Sequence, residues 1–437
     1  MLKFSDSLPL THIIAEHKRG TAIGIPSICS ANRFVIEACM LQALADDSPL
    51  LVESTCNQVN QYGGYTGMDA AAFMAYIGEI AAQMDFPTER LILGGDHLGP
   101  YPWSGESPAS AMDKARRLVG EYIAAGFVKI HLDASMPLGG EGGIDLATSA
   151  QRAAALCQAA EEAASQHDCA YQPRYVIGTE VPSPGGAREM EDTVQATHPD
   201  DVQQTLEITR QTFRQRGLEA AWERVIAVVA QPGVEFGDEF VSAYQREQAV
   251  GLSSLIQGYP NLVYEAHSTD YQPPEALRQL MEDHFAILKV GPALTFAFRE
   301  AVFALAAIEK EWLGESHLRD VVEAAMQAEP GYWQGYYRGD ERQLALRRKF
   351  SLSDRIRYYW RRPEVQTALD ELIFRLEQSP PPLALISQYL PAQYWELRQG
   401  RLRNEPIQLI LAKIRQITAQ YAWACGLSAQ TDGGWMR

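Results

Sequence analysis

Eight short apolar segments recur along the first 290 or so residues, and several end in polar residues that are costly to place on a rim without a use. The clearest endings are Gly94-Gly95-Asp96-His97, His131-Leu132-Asp133, Gly178-Thr179-Glu180, Gln231-Pro232-Gly233-Val234-Glu235 and Glu265-Ala266-His267-Ser268-Thr269-Asp270. A strand followed by a helix, repeated eight times, closes into a (β/α)8 TIM barrel whose active site lies where the carboxyl ends of the strands converge.

The expected strands are Ala22–Ser30, Leu50–Ser54, Leu91–Asp96, Phe127–Asp133, Tyr175–Glu180, Val225–Ala230, Leu262–His267 and Ala286–Gly291. They are nearly continuous apolar runs rather than alternating ones, as in a parallel sheet covered by helices. A doubly wound open sheet shares these local signals, but the count of eight and the rim residues favour the barrel. Helices are expected at 34–44, 68–83, 111–125, after a cap at Asp145, at 201–216, 241–257, from Pro274, and at 295–310. The barrel is assigned to residues 1–312 and a helical extension packed on it to 313–437. The extension has helical patterns at 317–327, 365–377 and 407–424, and its Tyr332-Trp333, Tyr336-Tyr337 and Tyr358-Tyr359-Trp360 clusters are read as packing. The basic run Arg342–Lys349 is read as a solvated face.

Of the 437 residues, acidic ones outnumber basic ones by enough to give a net charge of -17. That argues against a general binder of phosphate backbones, so no nucleic-acid partner is expected. The six cysteines show no paired metal spacing and are expected to be reduced. The N-terminal segment mixes charges too freely for a signal peptide, and no apolar run is long enough to span a membrane. A cytoplasmic location without membrane association follows as the expectation. No glycine-rich loop carries a phosphate-binding lysine, which disfavours a kinase.

The chemistry gathers at the strand ends. His97 and His267, with Glu235 as a third ligand, make a candidate site for a divalent metal, zinc by ligand type, with Glu180 and Glu265 as competitors for the third position. Asp96 is the candidate general base, Asp133 its reserve, and Glu180 a further catalytic candidate. Lys129, His131 and Asp133 share one strand face by parity, and Lys129 or Lys289 offers a Schiff-base route as an alternative to metal activation. Ser268, Thr269, Gly291 and Thr295 gather after the last two strands, where barrels often hold phosphate, and Asn57 and Lys289 join them as candidate substrate contacts.

The stretches Ser54–Met68, Gly94–Pro100, Tyr175–Gly186, Glu265–Gln272 and Leu288–Phe296 resemble the GatZ/KbaZ family, the Z subunits associated with tagatose-1,6-bisphosphate aldolase. The resemblance covers almost the whole chain. It implies a barrel related to the class II, metal-dependent ketose-bisphosphate aldolases, with a base at Asp96 and metal ligands at His97 and His267. It also implies that the remaining class II histidine is replaced by Glu235 or its neighbourhood, a departure that weighs against ordinary aldolase activity. Two roles in tagatose or galactitol metabolism are implied. One is an accessory subunit stabilising a catalytic Y partner; the other is a metal-dependent tagatose 6-phosphate 4-epimerase acting on a ketose phosphate. A homo-oligomer is compatible with either.

Overall fold

The computed structural model describes residues 8–178 and 194–428. Eight parallel strands form a closed barrel: β1 (Ile25–Cys29), β2 (Leu50–Thr55), β3 (Leu91–Leu98), β4 (Lys129–Leu132), β5 (Arg174–Ile177), β6 (Val225–Val229), β7 (Val263–Ala266) and β8 (Ile287–Val290). Each pairs with its sequence neighbour, and β1 closes on β8 with Ser27 opposite Lys289. The (β/α)8 expectation holds, and among the described residues a strand lies at each of the eight expected positions.

Before the barrel, α1 (Pro9–Lys18) lays Leu10, Ile13 and Ile14 against an apolar layer that includes Ile25, Leu51, Val176, Val263 and Ile287. This closes the end of the barrel away from the strand carboxyl ends. Around the wall run α2 (Arg33–Ala45), α3 (Ala70–Gln83), α4 (Pro108–Ala124), α5 (Leu146–Gln166), α6 (Pro199–Gln215), α7 (Glu219–Trp222), α8 (Val250–Gln257), α9 (Pro274–Glu282) and α10 (Pro292–Leu313). Their starts are written locally: Asn32, Asp69 and Asp145 each accept a backbone N–H of the first turn. One helix departs from expectation. Val241–Ser242 pairs antiparallel with Glu235–Phe236, and α8 begins only at Val250. The Gln272 side chain holds this segment extended, accepting from Tyr244 N at 2.9 Å and donating to Ser242 O at 2.9 Å.

The extension comprises α11 (Leu318–Ala328), α12 (Glu341–Phe350), α13 (Pro363–Gln378), α14 (Leu383–Tyr389), α15 (Pro391–Arg398) and α16 (Pro406–Ala424). The basic run is a solvated face only in part, with Arg342 and Gln343 exposed but Arg348 buried. It forms α12, opened by an Asp340 capping box. Arg348 within it is buried over Trp333 and paired with Glu323 at 2.6 Å, and Arg347 pairs with Asp238 at 2.9 Å. The last helix, α16, packs on α2, α9 and α10 beside the β1/β8 closure. Gly24 N donates to Cys425 O at 2.9 Å, and the Tyr421 hydroxyl donates to Thr269 O at 2.8 Å.

A buried carboxylate, Asp354, ties the extension to α10 by accepting from Thr295 Oγ1 at 2.6 Å and from Arg299 Nε at 3.3 Å. Burial pushes its pKa up to about 6, outweighing the nearby Arg299 charge. A carboxyl that holds its proton more tightly folded than unfolded stabilises fully at low pH and loses that contribution as pH rises through its folded pKa. Relative to Asp354→Asn, the wild-type chain should therefore lose about 2 kcal/mol of stability between about pH 4 and 6. Urea midpoints of both proteins across that window test this; parallel curves would refute it.

Candidate active site

The pairing of β3 with β4 slips between Gly95 and Leu98, and His97 takes a φ of 49°. Adjacent strand residues normally face opposite sides, but this bulge turns both Asp96 and His97 into the barrel mouth. Glycine is required next to it: a Cβ on Gly94 would lie 2.5 Å from Glu53 Oε1, and one on Gly99 would lie 1.7 Å from Asp133 O.

Three imidazoles meet there. Ring centres of His97, His131 and His267 are separated by 5.2, 4.9 and 5.3 Å. His97 Nδ1 donates to Asp133 Oδ2 at 2.9 Å, and His131 Nδ1 lies 3.1 Å from Asp96 Oδ1 and 3.2 Å from the His97 backbone N–H. His267 Nε2 lies 3.0 Å from Glu265 Oε1, while His131 Nε2 is buried without a hydrogen-bond partner. Ligand atoms of Asp96, His131, Glu265 and His267 all fall within 4.8 Å of one another.

Beneath the rings lies a layer of buried charge. Lys129 Nζ is 2.5 Å from both Glu53 Oε1 and Glu265 Oε2, with none of the three side chains exposed. Lys289 Nζ pairs with the other Glu53 oxygen and lies 2.6 Å from Asp96 Oδ1. Burial raises the Asp96 pKa, but the charges of His97 and Lys289 more than offset it and hold the group well below the usual carboxylate range. Burial, aided by His97 and Lys289, depresses His267 to about 3, so its ring is neutral. Against burial, Asp96 and Asp133 raise His97, and its hydrogen bond and charge hold Asp133 near 2.

These residues fit a divalent ion. An imidazole bound to zinc at about 2.1 Å has its ring centre about 3.2 Å from the ion, so rings around one tetrahedral ion lie about 5.2 Å apart. Glu53, Asp96 and Glu265 face Lys129 and Lys289, and Asp133 pairs with His97, so carboxylates outnumber lysines and leave a surplus of negative charge for a dication to neutralise.

The cluster opens into a cavity of about 480 Å³. Asp96, His97, His267 and Lys289 form part of its wall, and Tyr332, Tyr336, Arg355, Arg357 and Tyr358 of the extension form another part. Tyr65, on the loop after β2, meets the Tyr358 ring edge-on at 4.8 Å and docks the two parts together.

The chain matches the model of the D-tagatose-1,6-bisphosphate aldolase subunit GatZ/KbaZ-like family over residues 10–426. It belongs to that family. Among solved structures, a probable tagatose 6 phosphate kinase from Sinorhizobium meliloti 1021 is 44% identical, with a TM-score of 0.85 over 92% of this chain and 100% of that one. The YdjI aldolase from Escherichia coli K12 is 11% identical with a TM-score of 0.43, covering 82% of this chain and 93% of that one. A fructose-bisphosphate aldolase from Campylobacter jejuni is 15% identical with a TM-score of 0.43, covering 84% and 91%. The GatZ/KbaZ-like match runs through the extension, so the aromatic and arginine wall belongs to the family region.

In this GatZ/KbaZ-like chain Asp96, His97 and His267 come together as expected. The third ring beside them is His131. Glu235 stands on the hairpin after β6, its Oε1 accepting from Phe236 N at 2.9 Å; neither it nor His97 is among the four groups whose ligand atoms lie within 4.8 Å of one another among the described residues. Asp133, the reserve base, is hydrogen-bonded to His97 and is not among the residues that line the cavity. Asn57, Ser268 and Gly291 line the cavity with Lys289. The start of α10, expected to hold phosphate, is taken by Asp270, which accepts from Gly291 N at 3.1 Å and Ala293 N at 2.8 Å. Thr269 Oγ1 donates to Lys289 O at 2.6 Å and Thr295 Oγ1 to Asp354 Oδ2 at 2.6 Å, and neither residue lines the cavity. Glu180 and most of the loop after β5 lie outside the described residues. Strand parity had already placed Lys129 and His131 on one face; Glu53, Arg355 and Arg357 gave no local signal.

Proposed function

We propose that the chain is a metal-dependent 4-epimerase of a ketose phosphate such as tagatose 6-phosphate. The observation that carries this reading is the convergence of His97 and His267 beside ionised Asp96 on the wall of a sugar-sized cavity, with the buried ring of His131 packed against both. The three rings would hold the ion, whose chemistry is to polarise the C2 carbonyl of the sugar. Asp96 takes the C4 hydroxyl proton as the C3–C4 bond opens to an aldehyde and a three-carbon enediolate. The aldehyde turns its other face, the C3–C4 bond re-forms, and Asp96 returns the proton to the C4 oxygen. No atom is gained or lost, and C4 is inverted. Lys289, 2.6 Å from Asp96, keeps the carboxylate in place and ionised between turnovers.

The test is metal content of the purified chain together with conversion of tagatose 6-phosphate to fructose 6-phosphate. Bound metal and chelator-sensitive turnover are expected; absence of both after metal is restored would sink the proposal. Asp133→Asn should lower metal affinity about tenfold to a hundredfold, because it removes the carboxylate that orients a ligand imidazole. Competition with a chromogenic chelator measures this, and an unchanged affinity would remove Asp133 from the role. The family description favours a second reading, in which the chain is an accessory subunit that stabilises an aldolase partner. In that case the histidine variants would still stabilise the partner, and the chain alone would not turn over sugar. Phosphoryl transfer is not proposed, since the sequence has no nucleotide-phosphate loop.

A further inference from the structure

Arg355 sits in the short 3-10 turn Arg355–Tyr358 of the extension, forms part of the cavity wall and is only 3% exposed. Its Nη1 donates to Tyr332 O at 2.7 Å, and its guanidinium lies over the Tyr336 ring. Its Nε and Nη2 are buried with no hydrogen-bond partner. Those two N–H groups share one edge of the guanidinium plane, the edge that engages two oxygens of a carboxylate or phosphate side by side. A buried donor pair left unmatched costs stability, so the fold maintains this edge against a penalty. Arg357, two residues on, is fixed differently: Nη1 donates to Asp354 O at 3.1 Å and to Ser353 O at 2.5 Å, and Nη2 donates to Tyr358 Oη at 2.8 Å. It adds a second positive charge to the same wall. The alternative anion site at the start of α10 already holds the Asp270 carboxylate.

We infer that the free edge of Arg355, backed by Arg357, is the subsite for the terminal oxyanion of the sugar, a phosphate monoester at the end remote from the histidine cluster. This deepens the ketose-phosphate reading and rests on it for the rest of the sugar. The extension then selects substrate by charge, while the barrel supplies the groups that act on carbon.

The experiment titrates tagatose 6-phosphate, unphosphorylated tagatose and the C6 carboxylate tagaturonate into the full chain held in chelator, followed by calorimetry. Wild type should bind the phosphate ester 10 to 100 times more tightly than the free sugar. Arg355→Met should bring that ratio close to one, and Arg355→Lys should restore part of it; thermal melting of both variants confirms that they fold. Preference for tagaturonate over the phosphate, lost in Arg355→Met, would keep the subsite and change its oxyanion to a carboxylate. No oxyanion preference in wild type, or an unchanged ratio in folded Arg355→Met, would overturn the inference. Because these titrations need neither metal nor turnover, a chain that binds the phosphate through Arg355 yet epimerises nothing would sink the proposed reaction and leave the subsite standing.

Discussion

If the chain is a metal-dependent epimerase as proposed, alanine at His131 is expected to abolish binding of a divalent ion and to lower turnover about a thousandfold or more, since Lewis-acid activation is worth several kcal/mol of barrier. The ring is one of three whose centres lie within 5.3 Å of one another, and its Nε2 has no protein partner. Its removal leaves the strand intact, so the variant should fold. Glu235→Ala is the decisive companion. Its carboxylate caps the neighbouring Phe236 amide on the hairpin, so that variant should keep its metal and stay within about tenfold of wild-type turnover. Metal analysis after dialysis, with turnover on tagatose 6-phosphate, separates the two. A metal-replete, active His131→Ala protein, or a metal-free Glu235→Ala protein, would return the third ligand to Glu235.

The largest loss of stability is expected from Lys129→Met. Its ammonium is fully buried at 2.5 Å from both Glu53 and Glu265, and removing it leaves those two carboxylates with Lys289 as their one shared cation, 3.9 Å from Glu265. Breaking a buried ion pair in this way costs about 3–5 kcal/mol, far more than a surface pair. Adding Glu53→Gln removes one uncompensated charge and should recover part of the loss. Urea unfolding in chelator keeps any change in metal occupancy out of the comparison. A single variant within about 1 kcal/mol of wild type would show that water or a shifted proton already relieves the carboxylates.

The barrel was legible because a strand buried on both faces must be apolar along its whole length, and eight such runs occur at barrel spacing. The bulge at Asp96 and His97 was legible only as a possibility: strand parity forbids both facing inward, and the slip against β4 that permits it depends on the neighbouring strand. His131 was already on the inward face by parity. Which inward groups touch, though, is set by strand tilt and stagger around the closed barrel, and these leave no trace in a single strand. The same holds for the start of α10. Glycine followed by proline at a helix start reads as an anion site, but Asp270 reaches it from the loop after β7. Local signals also misplaced the helix after β6, because Gln272, some thirty residues downstream, holds that segment extended. Arg355 and Arg357 follow the last barrel strand by more than sixty residues, so proximity to the mouth is a property of the fold alone.

The seam between β1 and β8 is latched by α16, through the Gly24 amide on the Cys425 carbonyl and the Tyr421 hydroxyl on Thr269. During translation the strands of the barrel are therefore complete well before their fastening exists. At about 5–20 residues per second, ribosomal synthesis from the end of β8 to α16 takes on the order of ten seconds. Throughout that interval the faces of α2, α9 and α10 that α16 will cover stand open to solvent. The nascent chain is then a ring awaiting its clasp, and that interval is when a chaperone has most to protect.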